Sequence, residues 1–123
     1  MNSKVLMVIR IIFALALLFF GANKFFHFMD PPPPPEAAMG YWAALSASKT
    51  MALVAIVEIA AGLALLLNKY AALMMLILMS VSINAVLYHA TLDSASIMMA
   101  IVLLVLNIVM LYAYKDKYKE LFS

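Results

Sequence analysis

Apolar residues fall into four long blocks, at residues 5–22, 51–67, 71–88 and 95–114. Each is close to the ~20 residues of α-helix that cross a hydrocarbon core of ~30 Å. A spanning β-strand needs only about 9–11 residues and alternates polar with apolar side chains, which none of these blocks does. The chain therefore reads as all-α: one transmembrane domain over residues 1–123, built as an integral membrane four-helix bundle. The connections at 68–70 and 89–94 are so short that the helices they join must be antiparallel neighbours. Residues 23–50 form the long outer loop. At its centre, after Asp30, stand five prolines at 31–35, which cannot continue a helix and favour a stiff extended spacer of ~15 Å. Recruitment of a proline-binding partner domain is the alternative, disfavoured by the absence of a basic flank. Residues 36–46 are good helix formers and carry Met39, Tyr41, Trp42 and Leu45. They predict a short interfacial helix in this loop, its aromatic side chains at headgroup level.

Composition strengthens this picture. Hydrophobic residues make up 68% of the chain and charged residues 11%, so the lipid bilayer is its first partner. The first block, preceded by Lys4 and containing Arg10, has the beginnings of a secretory signal. Phe20 stands where a small residue would be needed for cleavage, and three more apolar blocks follow, so it is expected to be a retained first helix. With no cysteine, disulfides, thiolate metal sites and dithiol redox chemistry are excluded. The net charge of +2 is too small to suggest nucleic acid, but its distribution orients the chain. Lys4, Lys69, Lys115, Lys117 and Lys119 fall on one side of a four-span arrangement, and Lys24 and Lys49 on the other. The positive-inside rule then predicts both termini in the cytoplasm.

Small and polar residues recur at helical spacing inside the blocks. Ala55, Glu58, Ala61 and Gly62 share a face of the second, Ser80, Asn84 and Tyr88 a face of the third, and Ser96, Ala100, Asn107 and Tyr114 a face of the fourth. Small residues let membrane helices approach closely, and Ser or Asn can hydrogen-bond across the gap, so these stripes should converge, with Ser80, Ser82, Ser96 and Asn107 holding the bundle together. Two full charges interrupt the blocks. A central Arg or Asp costs about 2.5–3.5 kcal/mol to insert, while each Leu, Ile, Phe or Val contributes about 0.3–0.6 kcal/mol in favour, so the first helix can carry Arg10. Glu58 lies ~12–13 Å from either end of its span and has a short side chain, so it must face protein or water. Arg10 has two options. It is ~9 Å from Lys4 along the axis and can snorkel to the near surface. If instead the first helix starts at Lys4 level with the end of the second at Leu67, Arg10 and Glu58 differ in depth by only about 4–5 Å and can form a bidentate ion pair. The predicted intramembrane polar core is Arg10, Glu58, Asn84 and Asn107, with the Arg10–Glu58 pair at its centre.

A second polar cluster is expected near the outer surface: Asn23, Lys24 and His27 at the end of the first helix, with Asn84, Tyr88 and His89 at the end of the third. It opens a polar path from the outer rim towards Glu58. Two histidines could hold a metal or haem, but isolated histidines near a membrane interface are more commonly ordinary polar residues, and no metal site is assigned.

An early Arg in the first helix, the run Gly21-Ala22-Asn23-Lys24-Phe25-Phe26-His27-Phe28, a Pro-rich turn before Glu36-Ala37-Ala38-Met39, and Val57-Glu58-Ile59-Ala60-Ala61-Gly62-Leu63 together resemble the DoxX family of small bacterial membrane proteins. The third helix, with Asn84 and His89, resembles it too. The resemblance implies a multi-pass four-helix protein of the bacterial cytoplasmic (inner) membrane, with Arg10, Glu58, Asn84 and His89 as its polar signature. The family takes its name from a subunit of a thiosulfate:quinone oxidoreductase. The resemblance therefore implies an accessory subunit of a quinone-linked membrane redox system, in which Glu58 exchanges a proton, Arg10 tunes it, and Asn84 or His89 serves the outer end. Quinone is the cofactor that follows, and a membrane redox protein or a second copy of the chain the partner. No flavin or nucleotide motif accompanies these residues, which speaks against independent catalysis. A non-enzymatic scaffold or assembly factor is the alternative. A proton-coupled carrier is weaker, because four spans show no repeated pair of broken helices.

Overall fold

A computed structural model describes residues 3–29 and 33–122. The start of the expected proline spacer, Pro31 and Pro32, lies outside the described residues; Pro33 to Pro35 have no regular secondary structure. Five α-helices follow in order: α1 (Ser3–Phe26), α2 (Glu36–Ala47), α3 (Thr50–Leu67), α4 (Ala71–Leu92) and α5 (Ile97–Ala113). A 3-10 turn, Ser94–Ser96, leads into α5, and a 3-10 segment, Lys115–Phe122, follows it. No strand occurs among the described residues. α1, α3, α4 and the segment Ser94–Ala113 are each long and apolar enough to cross a membrane.

Two helices run a turn beyond the apolar blocks that announce them. α1 continues to Phe26 and α4 to Leu92, so Asn23, Lys24 and His89, which lie beyond the apolar blocks, are helical. Helical backbone satisfies its own polar groups, and that requirement extends through the interfacial turn as well as the apolar core. A helix also forms over the segment expected to hold one in the long loop, as α2.

The most extensive packing is between α1 and α3. Small residues seven positions apart on each helix meet antiparallel, Gly21 against the Ala55 carbonyl and Gly62 against the Ala14 carbonyl. A Cβ on Gly62 would stand 2.9 Å from that carbonyl and 2.8 Å from Leu18 Cγ, and one on Gly21 2.6 Å from Ile59 Cγ1. The interface thus needs hydrogen at both places. Phe13, Ala14, Leu17, Ala61 and Leu65 form its buried core, continued by Ala71, Met75, Leu78 and Met110 of α4 and α5.

The helices then pack in chain order, α3 on α4 and α4 on α5. Asn68 and Tyr70, both left-handed (φ 51° and 60°), reverse the chain between α3 and α4. Lys69 N–H reaches back to the Ala64 carbonyl at 2.9 Å, closing the helix in the manner of a Schellman motif. Both described chain ends and this turn lie at one end of the bundle, the termini end; α2 lies at the other, the loop end. At the termini end the Tyr114 hydroxyl donates to Asn68 Oδ1 and the Tyr118 hydroxyl to the Ala72 carbonyl, each at 2.7 Å.

The α4 stripe departs from expectation. Its buried residues are Ala71, Met75, Leu78, Ser82 and Tyr88, so Tyr88 is buried as expected, whereas Ser80 is exposed and donates to the Ile77 carbonyl of its own helix. Ser82, not Ser80, therefore makes the interhelical bond, to Asn107. Both serines fit a helical repeat, and a serine can satisfy its hydroxyl within its own helix. On α5, Ala100 and Asn107 are buried as expected, while Ser96 is exposed.

Two outcomes follow for thermal unfolding in detergent. Gly62→Ala forces α1 and α3 apart and is expected to cost ~1–3 kcal/mol. Gly40→Ala, with nothing within 4 Å of the new Cβ, should instead stabilise α2 by up to ~1 kcal/mol. Equal midpoints for the two variants would contradict the packing. Burial, and secondarily Tyr114, raises the Tyr118 pKa, in keeping with its hydroxyl being the donor to Ala72. A group raised on folding contributes stability fully present below its unfolded pKa of about 10 and lost as pH climbs through the folded value. The Tm of the wild type should fall more steeply above about pH 10 than that of Tyr118→Phe.

Candidate functional site

Helical side chains lean towards the N-terminus of their own helix. In the antiparallel α1–α3 pair Lys24 therefore leans down towards the termini end and Glu58 up towards the loop end. Lys24 Nζ comes within 3.4 Å of the Phe20 carbonyl, one turn back, and 2.6 Å from Glu58 Oε1. Glu58 is 4% exposed, and Oε1 has no hydrogen-bond partner of correct alignment. The contact is a close ion pair rather than an aligned hydrogen bond.

The expected Arg10–Glu58 pair does not form. Arg10 is level with the last turn of α3, and its Nη1 donates to the carbonyls of Leu65 and Leu66, the latter at 3.3 Å. Those carbonyls lie 7 or 8 residues past Glu58, ~11–12 Å along the axis. The flush-ends assumption fails because the Gly21 and Gly62 contacts slide α1 towards the termini end. Arg10 also leans away from Glu58, in the direction of the snorkelling alternative, but ends on carbonyls of the last turn of α3, where Leu65 also accepts from the Asn68 N–H at 3.2 Å.

The rest of the expected polar core divides. Asn107 is buried between α4 and α5, accepting from Ser82 Oγ at 2.8 Å and donating to the Met75 carbonyl at 3.0 Å. It ties helices together and has no part in the Glu58 environment. Asn84 does belong there, lining the same cavity. Of the expected outer cluster, Lys24, Tyr88 and His89 join it as well. Asn23 does not: its amide brackets the backbone of Met29, at 3.1 and 2.8 Å, and secures the turn after α1. His27 is an exposed left-handed residue (φ 53°) at the end of α1. His89 lies beside Asp93, its Nδ1 3.2 Å from the backbone carbonyl and 3.9 Å from the carboxylate.

The cavity is about 290 Å³. Glu58 and Lys24 form one side, and Val54, Val81, Met99 and Leu103 are among its apolar walls. At the loop end α2 closes over it with aromatic side chains. Trp42 Nε1 donates to the Tyr88 hydroxyl at 2.6 Å, Tyr41 stacks on Tyr88 with centroids 4.9 Å apart, and Asn84 Nδ2 donates to the Tyr41 hydroxyl at 2.8 Å. Tyr41 and Trp42 were expected only as headgroup anchors. Both are half-buried and build the site. The signal that could have placed them is the spacing of Asn84 and Tyr88, which presents hydrogen-bonding groups one turn apart at the end of α4.

A family model for DoxX matches residues 5–91. The chain belongs to the DoxX family. The matched stretch carries Arg10, Lys24, Tyr41, Trp42, Glu58, Asn84, Tyr88 and His89, and the DoxX chain adds α5 beyond it, with Met99, Ala100 and Leu103 in the cavity wall. Neither a curated protein nor a solved structure matches the DoxX chain.

The two halves of the ion pair are unequally buried, with 26% of the Lys24 side chain exposed and 5% of that of Glu58. Lys24→Met leaves a buried carboxylate unpaired and should lower stability by about 3 kcal/mol. Glu58→Gln leaves a lysine with access to the cavity and should cost less. Lys24→Met combined with Glu58→Leu should recover most of the loss. A double-mutant cycle by thermal unfolding measures the coupling, and additive losses would refute it.

Proposed function

We propose that this DoxX membrane protein is the ligand-holding accessory subunit of a quinone-linked redox system in the bacterial cytoplasmic membrane, with both termini in the cytoplasm and α2 at the outer interface. The observation that supports this reading is the cavity beneath α2, with its buried carboxylate. At about 290 Å³ it is near the lower limit of small-molecule sites, which suits a single-ring headgroup and is too small for a nucleotide. Its walls are apolar, as a ring and its isoprenoid root require. Lys24, Asn84 and the tyrosine hydroxyls offer donors to a quinone carbonyl. The Glu58 carboxylate, whose Oε1 is held by Lys24 at 2.6 Å, has lone pairs left to accept from a quinol hydroxyl. A scaffold needs no such space beside a buried ion pair, because interiors are normally close-packed.

Trp42 is the chain's single tryptophan and sits in the cavity wall, so its fluorescence reports the site directly. Titrating the folded protein in detergent with a short-tailed benzoquinone should quench it saturably and raise the Tm. Asn84→Leu should weaken that binding about tenfold, the equivalent of one hydrogen bond worth ~1.4 kcal/mol. Non-saturable quenching with an unchanged Tm in the wild type would remove the quinone reading.

A further inference from the structure

The termini end holds a second cavity, of about 210 Å³, whose polar lining is Ser3, Arg10, Asn68 and Tyr114. It is separate from the space under α2 and plays no part in the function proposed above. Arg10 is the anomaly there. A guanidinium carries five N–H donors and a permanent charge. Nη1 is occupied by Leu65 and Leu66, while Nη2 and Nε meet no acceptor among the described residues. No carboxylate among the described residues pairs with Arg10: Glu58 is taken by Lys24, and Asp116 faces Lys119 at 3.6 Å. The charge at the foot of an apolar bundle thus has no ion-pair partner among the described residues. Lys4, Lys69, Lys115, Lys117 and Lys119 outnumber Asp116 and Glu120 at the same end, so the surrounding potential favours an anion. Tyr114 and Asn68 already bond to one another through the tyrosine hydroxyl, which leaves the amide N–H₂ of Asn68 as a further donor. Leu6 and Met7 give the cavity an apolar margin towards lipid.

We propose that this cavity binds the phosphate of an anionic phospholipid, Arg10 Nη2 and Nε forming the two-pronged contact and the neighbouring lysines supplying long-range attraction. A planar guanidinium matches two phosphate oxygens as an ammonium cannot. Basic pockets at helix ends beside the bilayer surface are suited to acidic lipid headgroups. The acyl chains would leave along Leu6 and Met7, which a free phosphate ion does not require.

Native mass spectrometry of the purified protein, offered equal amounts of phosphatidylglycerol and phosphatidylcholine, should show one phosphatidylglycerol retained in clear preference. The same lipid should raise the Tm by mass action. Arg10→Gln should abolish the preference, and Arg10→Lys should keep only part of it. Should Arg10→Gln not fold, Met7→Trp fills the apolar margin and leaves the carbonyl contacts of Arg10 in place, and it should lower phosphatidylglycerol retention without lowering the Tm in its absence. Equal retention of the two lipids, or undiminished preference in folded Arg10→Gln or in Met7→Trp, overturns the proposal. Stabilisation by inorganic phosphate that matches the lipid's would overturn the lipid assignment. None of these readouts depends on Trp42 quenching, so the two sites are tested independently.

Discussion

The close antiparallel packing of α1 on α3 governs where every charged group in the bundle ends up. With glycine at positions 21 and 62, backbone meets backbone and the axial register has no freedom to slide. That register, combined with the lean of helical side chains towards their N-termini, brings Lys24 and Glu58 together and turns Arg10 the other way. Membrane helices gain no hydrophobic advantage from one another, so close van der Waals packing at small residues is what holds such a pair. The electrostatics of the protein follow from sterics at two positions without side chains.

A second level of organisation comes from α2. Its helical propensity is ordinary, and it makes modest contact with α3. What fixes it is an aromatic and hydroxyl network in which Tyr88 receives Trp42 and stacks on Tyr41, while Asn84 holds the Tyr41 hydroxyl. α4 therefore acts in two directions: one face, through Ser82 and Asn107, locks α5, and its loop-end turn carries the cover of the cavity. The bundle is asymmetric as a result. Its middle is packed around Phe13, Leu17 and Leu65, and the larger of the two spaces described lies in the half beneath α2.

Much of the fold was legible because lipid imposes a strong one-dimensional signal: length and hydropathy are enough to recognise α1, α3, α4 and α5, and proline followed by helix formers is enough to recognise α2. The identity of Glu58 as an inward-facing residue was legible for the same reason, since its depth excludes any escape. Its partner was not. Choosing between Arg10 and Lys24 required the axial offset of two helices separated by a long loop, and span boundaries alone carry no information on offset. Ser80 and Ser82 show the corresponding limit for rotation: a weakly amphipathic helix surrounded by lipid has no strong polar side to betray its buried face. Residue type marks Trp42 and Tyr41 as interfacial aromatics, but it carries no sign of their partners on α4, far away in sequence.

The α1–α3 interface joins helices that are not consecutive, and this gives the chain an order of assembly. α1 is complete at Phe26, but Lys24 acquires its carboxylate only when Glu58 has been made, and Arg10 its carbonyls only when Leu65 and Leu66 have. At about 5–20 residues per second of synthesis, the interval is on the order of seconds. During that time α1 carries Arg10 and Lys24 without these partners. The long segment before α3 thus acts as a delay, and the birth of this protein depends on its surroundings tolerating an incomplete bundle.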